Sequence, residues 1–198
     1  MTEFTTHEND DQTPSAAISD ASSTNDDKRE ESEFDGLHAI YNESGVKLPL
    51  SDLHARIEKL YRHIGEEQSQ VCVVLTTDDE IHELNKTWRD VDAPTDVLSF
   101  PMREGEDPEF AKKLPLGDIV ISIDTALRYV DSCHHKTRLD SAGPAPLTDS
   151  WSILDEMTFL VIHSTLHLLG YDHATPEEET QMRALERQWM TYILDSEK

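Results

Sequence analysis

The sequence is poor in several things. It holds two cysteines in 198 residues, Cys72 and Cys133, far apart and in no CxxC pair. That excludes a disulfide scaffold and a cysteine-based zinc finger, and it fits a reducing, cytoplasmic compartment. Basic side chains are scarce: 17 Lys and Arg stand against 41 Asp and Glu, a formal net charge of −24. This excludes a protein that grips nucleic acid through bulk positive charge, though not one with a local basic patch. Hydrophobic residues make up only 36% of the chain, so part of it is expected to lie outside any core. Long apolar runs are absent as well. The longest, Met157 to Leu169, is interrupted by Thr158, His163, Ser164, Thr165 and His167 and is too short to span a bilayer. The first residues carry neither a basic n-region nor an apolar h-region, so no signal peptide is expected.

What is present divides near residue 36. Residues 1–35 are rich in Ser, Thr, Asn, Asp and Glu and nearly free of large apolar side chains. Such a segment cannot bury enough surface to offset its conformational entropy, and a disordered, solubilising acidic tail is expected. Residues 36–198 are expected to form a single domain of α+β class: a small mixed sheet of about four strands flanked by helices.

Strands are expected at Leu37–Tyr41, Val71–Leu75, Val97–Phe100 and Ile119–Ile123, where β-branched and apolar residues cluster. A turn at Asn42–Gly45 leads to a helix capped by Ser51, with Leu53, Ile57, Leu60, Tyr61 and Ile64 at helical spacing and Gly65 ending it. Thr77–Glu80 reads as a capping box for a helix with Ile81, Leu84 and Trp88 inward. Asp124 opens a helix to about Cys133, and His134–Leu147, with one Gly and two Pro, reads as a loop. An apolar helix from about Thr148 to Leu169 follows. Thr175–Glu178 is a second capping box, opening a helix with Met182, Leu185, Trp189 and Ile193 inward.

The chemistry gathers at the end of the apolar helix, in His163-Ser-Thr-Leu-His167-Leu-Leu-Gly170-Tyr-Asp-His173. His163 and His167 are four apart and project from one helix face about one turn apart. Gly170 can take positive φ, end the helix and let His173 fold back. Three neutral imidazoles, with nothing closing the fourth position, are the pattern of a catalytic zinc. Nickel or copper would accept the same ligands. Hydrogen-bonded core histidines are the competing reading, and the helix-ending glycine with a third His beyond it favours the metal. Zinc proteases carry Glu directly after the first His as general base. Ser164 stands there, so the segment supplies ligands but no local carboxylate base.

The segment HSTLHLLGYDH resembles the signature of the YbeY family of bacterial metal-dependent endoribonucleases, His-Gly-x-Leu-His-Leu-x-Gly-Tyr-Asp-His, departing only at Ser164. Leu84-Asn85, Trp88-Arg89, Thr95 to Pro101, Leu116 to Ile119 and Asn42 to Gly45 resemble further blocks of that family in order and spacing. The resemblance covers about residues 37–195, with the acidic tail and the 134–147 stretch outside it. It implies a zinc-dependent, single-strand-specific endoribonuclease acting in 3′-end maturation of 16S ribosomal RNA and in ribosome quality control. By position it implies His163, His167 and His173 as the zinc ligands, one ion per chain, and Arg89 as a functional arginine. A planar fork of donors at Arg89 suits a phosphate, and can stabilise charge developing in phosphoryl transfer.

Other residues are candidates from their chemistry. Asp172 and Asp118 are candidates to support the ligands, each weighed against a turn-forming or structural role. Thr95 and Asp96 either shape the cleft near Arg89 or form a turn. His134 and His135 are expected to be solvated. Residues 36–198 still carry 30 acidic against 15 basic side chains, so RNA affinity must come from a local cluster. Arg89, Arg103, Lys112 and Lys113 are the candidates, with Arg62 a further one, or a ribosomal protein delivers the RNA. The expected partners are single-stranded ribosomal RNA and the ribosome or small-subunit proteins, with no membrane and no DNA. Two alternatives stay open: a ribosome-assembly factor with a structural zinc, and a metal-dependent hydrolase of another bond, such as a peptidase.

Overall fold

The structure, a computed structural model, describes residues 36–103, 105, 110 and 114–195. The acidic tail, Lys112 and Lys113 lie outside the described residues. The architecture is α+β, as the sequence predicts: one four-stranded mixed sheet with six helices among the described residues. β1 (His38–Asn42), β2 (Val71–Thr76), β3 (Val97–Pro101) and β4 (Gly117–Ser122) lie in the order β1-β2-β4-β3. β1 and β2 are parallel, as are β2 and β4, whereas β3 runs antiparallel along β4 and forms an edge.

The helices are α1 (Leu50–His63), α2 (Asp78–Arg89), α3 (Ile123–Ser132), α4 (His134–Ser141), α5 (Ile153–Leu168) and α6 (Pro176–Asp195). The sheet's two faces are covered unequally. Ile40, Val73, Leu75, Ile119 and Ile121 join the main core with α1, α5 and α6, whose Leu53, Tyr61, Phe159, Ile162 and Ile193 are fully buried. The opposite face carries only a small cluster of Ile81, Leu98 and Val120 under α2. Strand alternation produces this split, since side chains two apart share a face.

α5 is buried nearly all round, and its end is pressed onto the sheet at Gly117. Gly117 has φ +151, and a Cβ there would lie 2.8 Å from Leu168 Cδ2 and collide with the Phe100 carbonyl. Only glycine lets the last turn of α5 sit this close to β3 and β4. That contact fixes the height of His167 above the sheet.

Several local expectations need correction. α1 begins at Leu50, after Pro49, and not at Ser51. Ile123 belongs to α3, whose N-cap is Ser122 in place of Asp124. Asp124 instead accepts the Asp78 backbone N–H at 2.9 Å, tying α3 to α2. α5 starts at Ile153, set by a capping box of Ser152 and Asp155, five residues after the expected start. The stretch read as a loop contains α4: Cys133 turns the chain at φ 51 and a new helix begins at once. α4 buries only His135 and Leu139, too few residues for an apolar period to show. Trp88 does not point inward but is 68% exposed.

A candidate metal centre and its cleft

α5 runs out in a turn that gathers the histidines. Gly170, at φ +88, donates to the His167 carbonyl at 2.9 Å, and Tyr171 N–H reaches back to the Leu166 carbonyl at 3.0 Å. Two of the orphan carbonyls at the helix end are thereby satisfied while the chain reverses. His173 returns beside the other two, its ring centroid 5.8 Å from His163 and 5.1 Å from His167, with 4.7 Å between His163 and His167. One ligand nitrogen from each ring lies within 4.8 Å of the others. Three imidazole nitrogens so gathered can hold one metal ion.

Two of the rings are fixed from behind. His163 Nδ1 lies 2.7 Å from Glu186 Oε1 of α6. Glu186 is fully buried, and Arg138 of α4 donates to both of its oxygens at 2.7 Å. His167 Nδ1 lies 3.0 Å from the Tyr171 carbonyl, which can only accept. That contact makes Nδ1 the protonated nitrogen of His167 and leaves Nε2 as its ligand atom. The Glu186 carboxylate acts on His163 in the same way. Burial, and then the neighbouring His163 and His173, push the His167 pKa down to about 4, against the opposing pull of the Tyr171 carbonyl. His167 is therefore neutral near pH 7, the state a metal ligand needs. The donor set, all imidazole with a carboxylate behind one ring, fits a borderline-soft divalent ion.

Glu186 and Arg138 were not singled out from the sequence. Glu186 is fixed by its register on α6, and Arg138 sits on the helix that the sequence conceals. No local pattern ties either one to the histidines. His135 was expected to be solvated but is 4% exposed. Its Nδ1 lies 2.5 Å from the fully buried Glu156, which also accepts from Trp151 Nε1 at 2.7 Å. His135 thus fastens α4 to α5 about two turns before His163, on the same helix face.

A cleft of about 640 Å³ opens beside the cluster. His167, His173 and the Gly170–Asp172 turn form one side, and Arg89, Ser99, Pro101 and Arg103 line it as well. Arg89 is the last residue of α2, exposed, with no hydrogen bond or ion pair among the described residues. Arg103 is committed elsewhere: it donates to Glu66 at 3.1 Å, to Ser69 Oγ at 2.9 Å and to the Leu114 carbonyl at 3.1 Å. Asp172 lines the cleft, and its Oδ1 accepts the His173 backbone N–H at 2.8 Å. By alternation with Gly117 and Ile119, Asp118 faces the α2 side of the sheet, away from α5. Asp96 closes a local turn, accepting from Thr95 Oγ1 and Val97 N–H at 3.0 Å each. Ser164 is fully buried, and its hydroxyl has no hydrogen-bond partner, not even the preceding helical turn.

A histidine triad open to a cleft, on a mixed α+β scaffold, is the layout of a metalloenzyme and not of a closed structural zinc site. Comparison with known proteins narrows the class. The family model described as Endoribonuclease YbeY matches residues 39–193. The chain is similar to the protein named Endoribonuclease YbeY of Heliobacterium modesticaldum, 41% identical over 129 residues, 61% of this chain and 67% of that protein. It is 37% identical to the Exiguobacterium protein of the same name over 168 residues, covering 79% of this chain and 96% of the relative. A solution structure of a Thermotoga maritima protein shares the fold at a TM-score of 0.51 and 24% identity, over 79% of this chain and 90% of that one. The chain belongs to the YbeY endoribonuclease family.

Proposed function

We propose that this chain is a zinc-dependent endoribonuclease specific for single-stranded RNA, acting in 3′-end maturation of 16S ribosomal RNA and in ribosome quality control. The observation that carries the reading is the meeting of two unlike groups in one cleft: the His163–His167–His173 cluster and the guanidinium of Arg89, which has no partner among the described residues. Family membership supports RNA as the substrate. Residues 36–198 act as one metallohydrolase domain in the cytoplasm, and no described helix is long and apolar enough to cross a membrane.

In this reading His163, His167 and His173 hold one zinc ion. Bound zinc supplies Lewis acidity and lowers the pKa of water. Glu186 and the Tyr171 carbonyl keep His163 and His167 in the ligating tautomer and orientation. Arg89 binds the scissile phosphate with its fork of N–H donors and stabilises the extra charge of the transition state. Arg103 braces the cleft wall, since Glu66, Ser69 and Leu114 take three of its five N–H donors and fix its orientation. The excess of acidic over basic residues disfavours tight binding of free RNA, so a ribosomal or small-subunit protein delivers the substrate. A peptidase would need a carboxylate base; Asp118 faces away from α5, and Asp172, which lines the cleft, is turned by Oδ1 to the His173 backbone N–H.

The test is cleavage of single-stranded RNA by purified wild type, His167→Ala and Arg89→Ala, with zinc content and folding measured for each. The expected result is cutting by wild type, loss of zinc and activity in His167→Ala, and loss of activity with zinc and fold intact in Arg89→Ala. Equal cleavage by all three would trace the activity to a contaminant. An Arg89→Ala protein that keeps its function, with unfolding on zinc removal, would favour an assembly factor with a structural zinc.

A further inference from the structure

We propose that the indole of Trp88 is a stacking platform for an unpaired nucleobase of the RNA whose phosphate Arg89 holds; the proposal rests on the ribonuclease reading above. The sequence contains three tryptophans. Trp151 and Trp189 are 8% and 7% exposed, whereas Trp88 is 68% exposed. By helical period Trp88 continues the stripe of Ile81 and Leu84, which pack against the sheet. It is left uncovered because the sheet ends beneath it: β3 is an edge strand, and the last turn of α2 lies near that edge.

The ring is held in place all the same. Trp88 meets Phe100 edge-on, at 6.0 Å between ring centroids and 75° between planes. Ser99 and Pro101 line the cleft, so by alternation Phe100 and the indole against it lie on the α2 face of β3, whereas Arg89, next to Trp88 in sequence, lines the cleft and joins the two across this edge. The exposed indole therefore stands just across the β3 edge from the cleft, next to a guanidinium that has no partner among the described residues. The nearby carboxylate of Asp92 lies 2.8 Å from His82 Nε2 and is paired with Lys86 at 3.1 Å. A supported aromatic ring beside an unpartnered cation is the pair of groups by which single strands are bound: bases stack, and phosphates meet the charge. Every base has a π-face, so the platform is tolerant of sequence. Among the described residues, Trp88, Val91 and Met102 are the large exposed apolar side chains at or just after the ends of α2 and β3, a small patch beside the apolar core of a stable interface with a second copy.

The experiment compares full-length wild type, Trp88→Phe and Trp88→Ala, each loaded with zinc, in steady-state cleavage of a single-stranded oligoribonucleotide. In parallel, a single abasic nucleotide is scanned along the strand. The expected result is a KM raised about 5- to 30-fold in Trp88→Ala, with most of the loss recovered in Trp88→Phe. At one strand position the abasic substitution should penalise wild type by a similar factor and leave Trp88→Ala unaffected. Indole fluorescence should be quenched by RNA in wild type and unchanged in Trp88→Phe, a readout that survives even if Trp88→Ala folds poorly. If wild type cuts RNA but KM is unchanged in Trp88→Ala, or the abasic penalty is the same in both proteins, the platform is wrong and the ribonuclease reading stands. If wild type neither binds nor cuts any single-stranded RNA, both fall together. Self-association that buries Trp88 would assign the patch to a second copy and overturn the proposal.

Discussion

On one side of the cleft, His163 and His167 are each held through Nδ1, by the buried Glu186 and by the Tyr171 carbonyl, and Arg138 secures Glu186 in turn. On the other side, Arg89 and Trp88 stand exposed at the end of α2 without a polar partner among the described residues. In the proposed reading the difference follows from what each wall binds. A metal ion tolerates little error in ligand direction, so its imidazoles are fixed before it arrives. A single strand of RNA arrives in many conformations, and free side chains on an edge can meet it. The anchored wall rests on the thick core of α1, α5 and α6, and the free wall on the thin cluster under α2.

The largest effect should come from the free wall. Replacing Arg89 by Ala removes the donor proposed to act on the transition state and should lower kcat about 100-fold or more. Zinc content and thermal unfolding should stay at wild-type values, because that side chain is exposed and makes no hydrogen bond or ion pair among the described residues. Rapid-quench cleavage together with metal analysis checks both halves.

The next effect tests the anchored wall. Glu186→Gln leaves an acceptor near His163 but removes the charge that Arg138 clamps. Zinc affinity, read by competition with a chromophoric chelator, should fall about 10- to 100-fold, and cleavage should return when zinc is made saturating. An unchanged affinity would mean that the two walls do not differ in the way described.

The smallest effect concerns a flaw in the anchored wall. The Ser164 hydroxyl is buried without a partner, so Ser164→Ala should raise stability by about 1 kcal/mol in chemical denaturation. Zinc affinity should not change, since the neighbouring ligands keep their own partners.

The histidine cluster was legible in the sequence because helix geometry is local: an i, i+4 pair, a helix-ending glycine and a third His are written within eleven residues. The four strands were legible as β-branched runs, but their order was not, since pairing depends on which strands meet in space. Trp88 shows the cost of that gap. Its position on the apolar stripe is correct, and only the knowledge that β3 is an edge reveals that nothing covers it. α4 escaped notice for the opposite reason, since a helix anchored by His135 on Glu156 and by Arg138 on Glu186 leaves little apolar period to read. The supports of the metal site were hidden together with the helix that carries one of them.

The central claim is that metal binding and RNA handling are divided between the two walls. Zinc-titrated, single-turnover cleavage of a single-stranded RNA by wild type and Arg89→Ala tests it most directly. The account predicts the same zinc midpoint for both proteins and a plateau rate at least about 100-fold lower for the variant. A shifted midpoint with an unchanged plateau would place Arg89 with the metal and contradict the division.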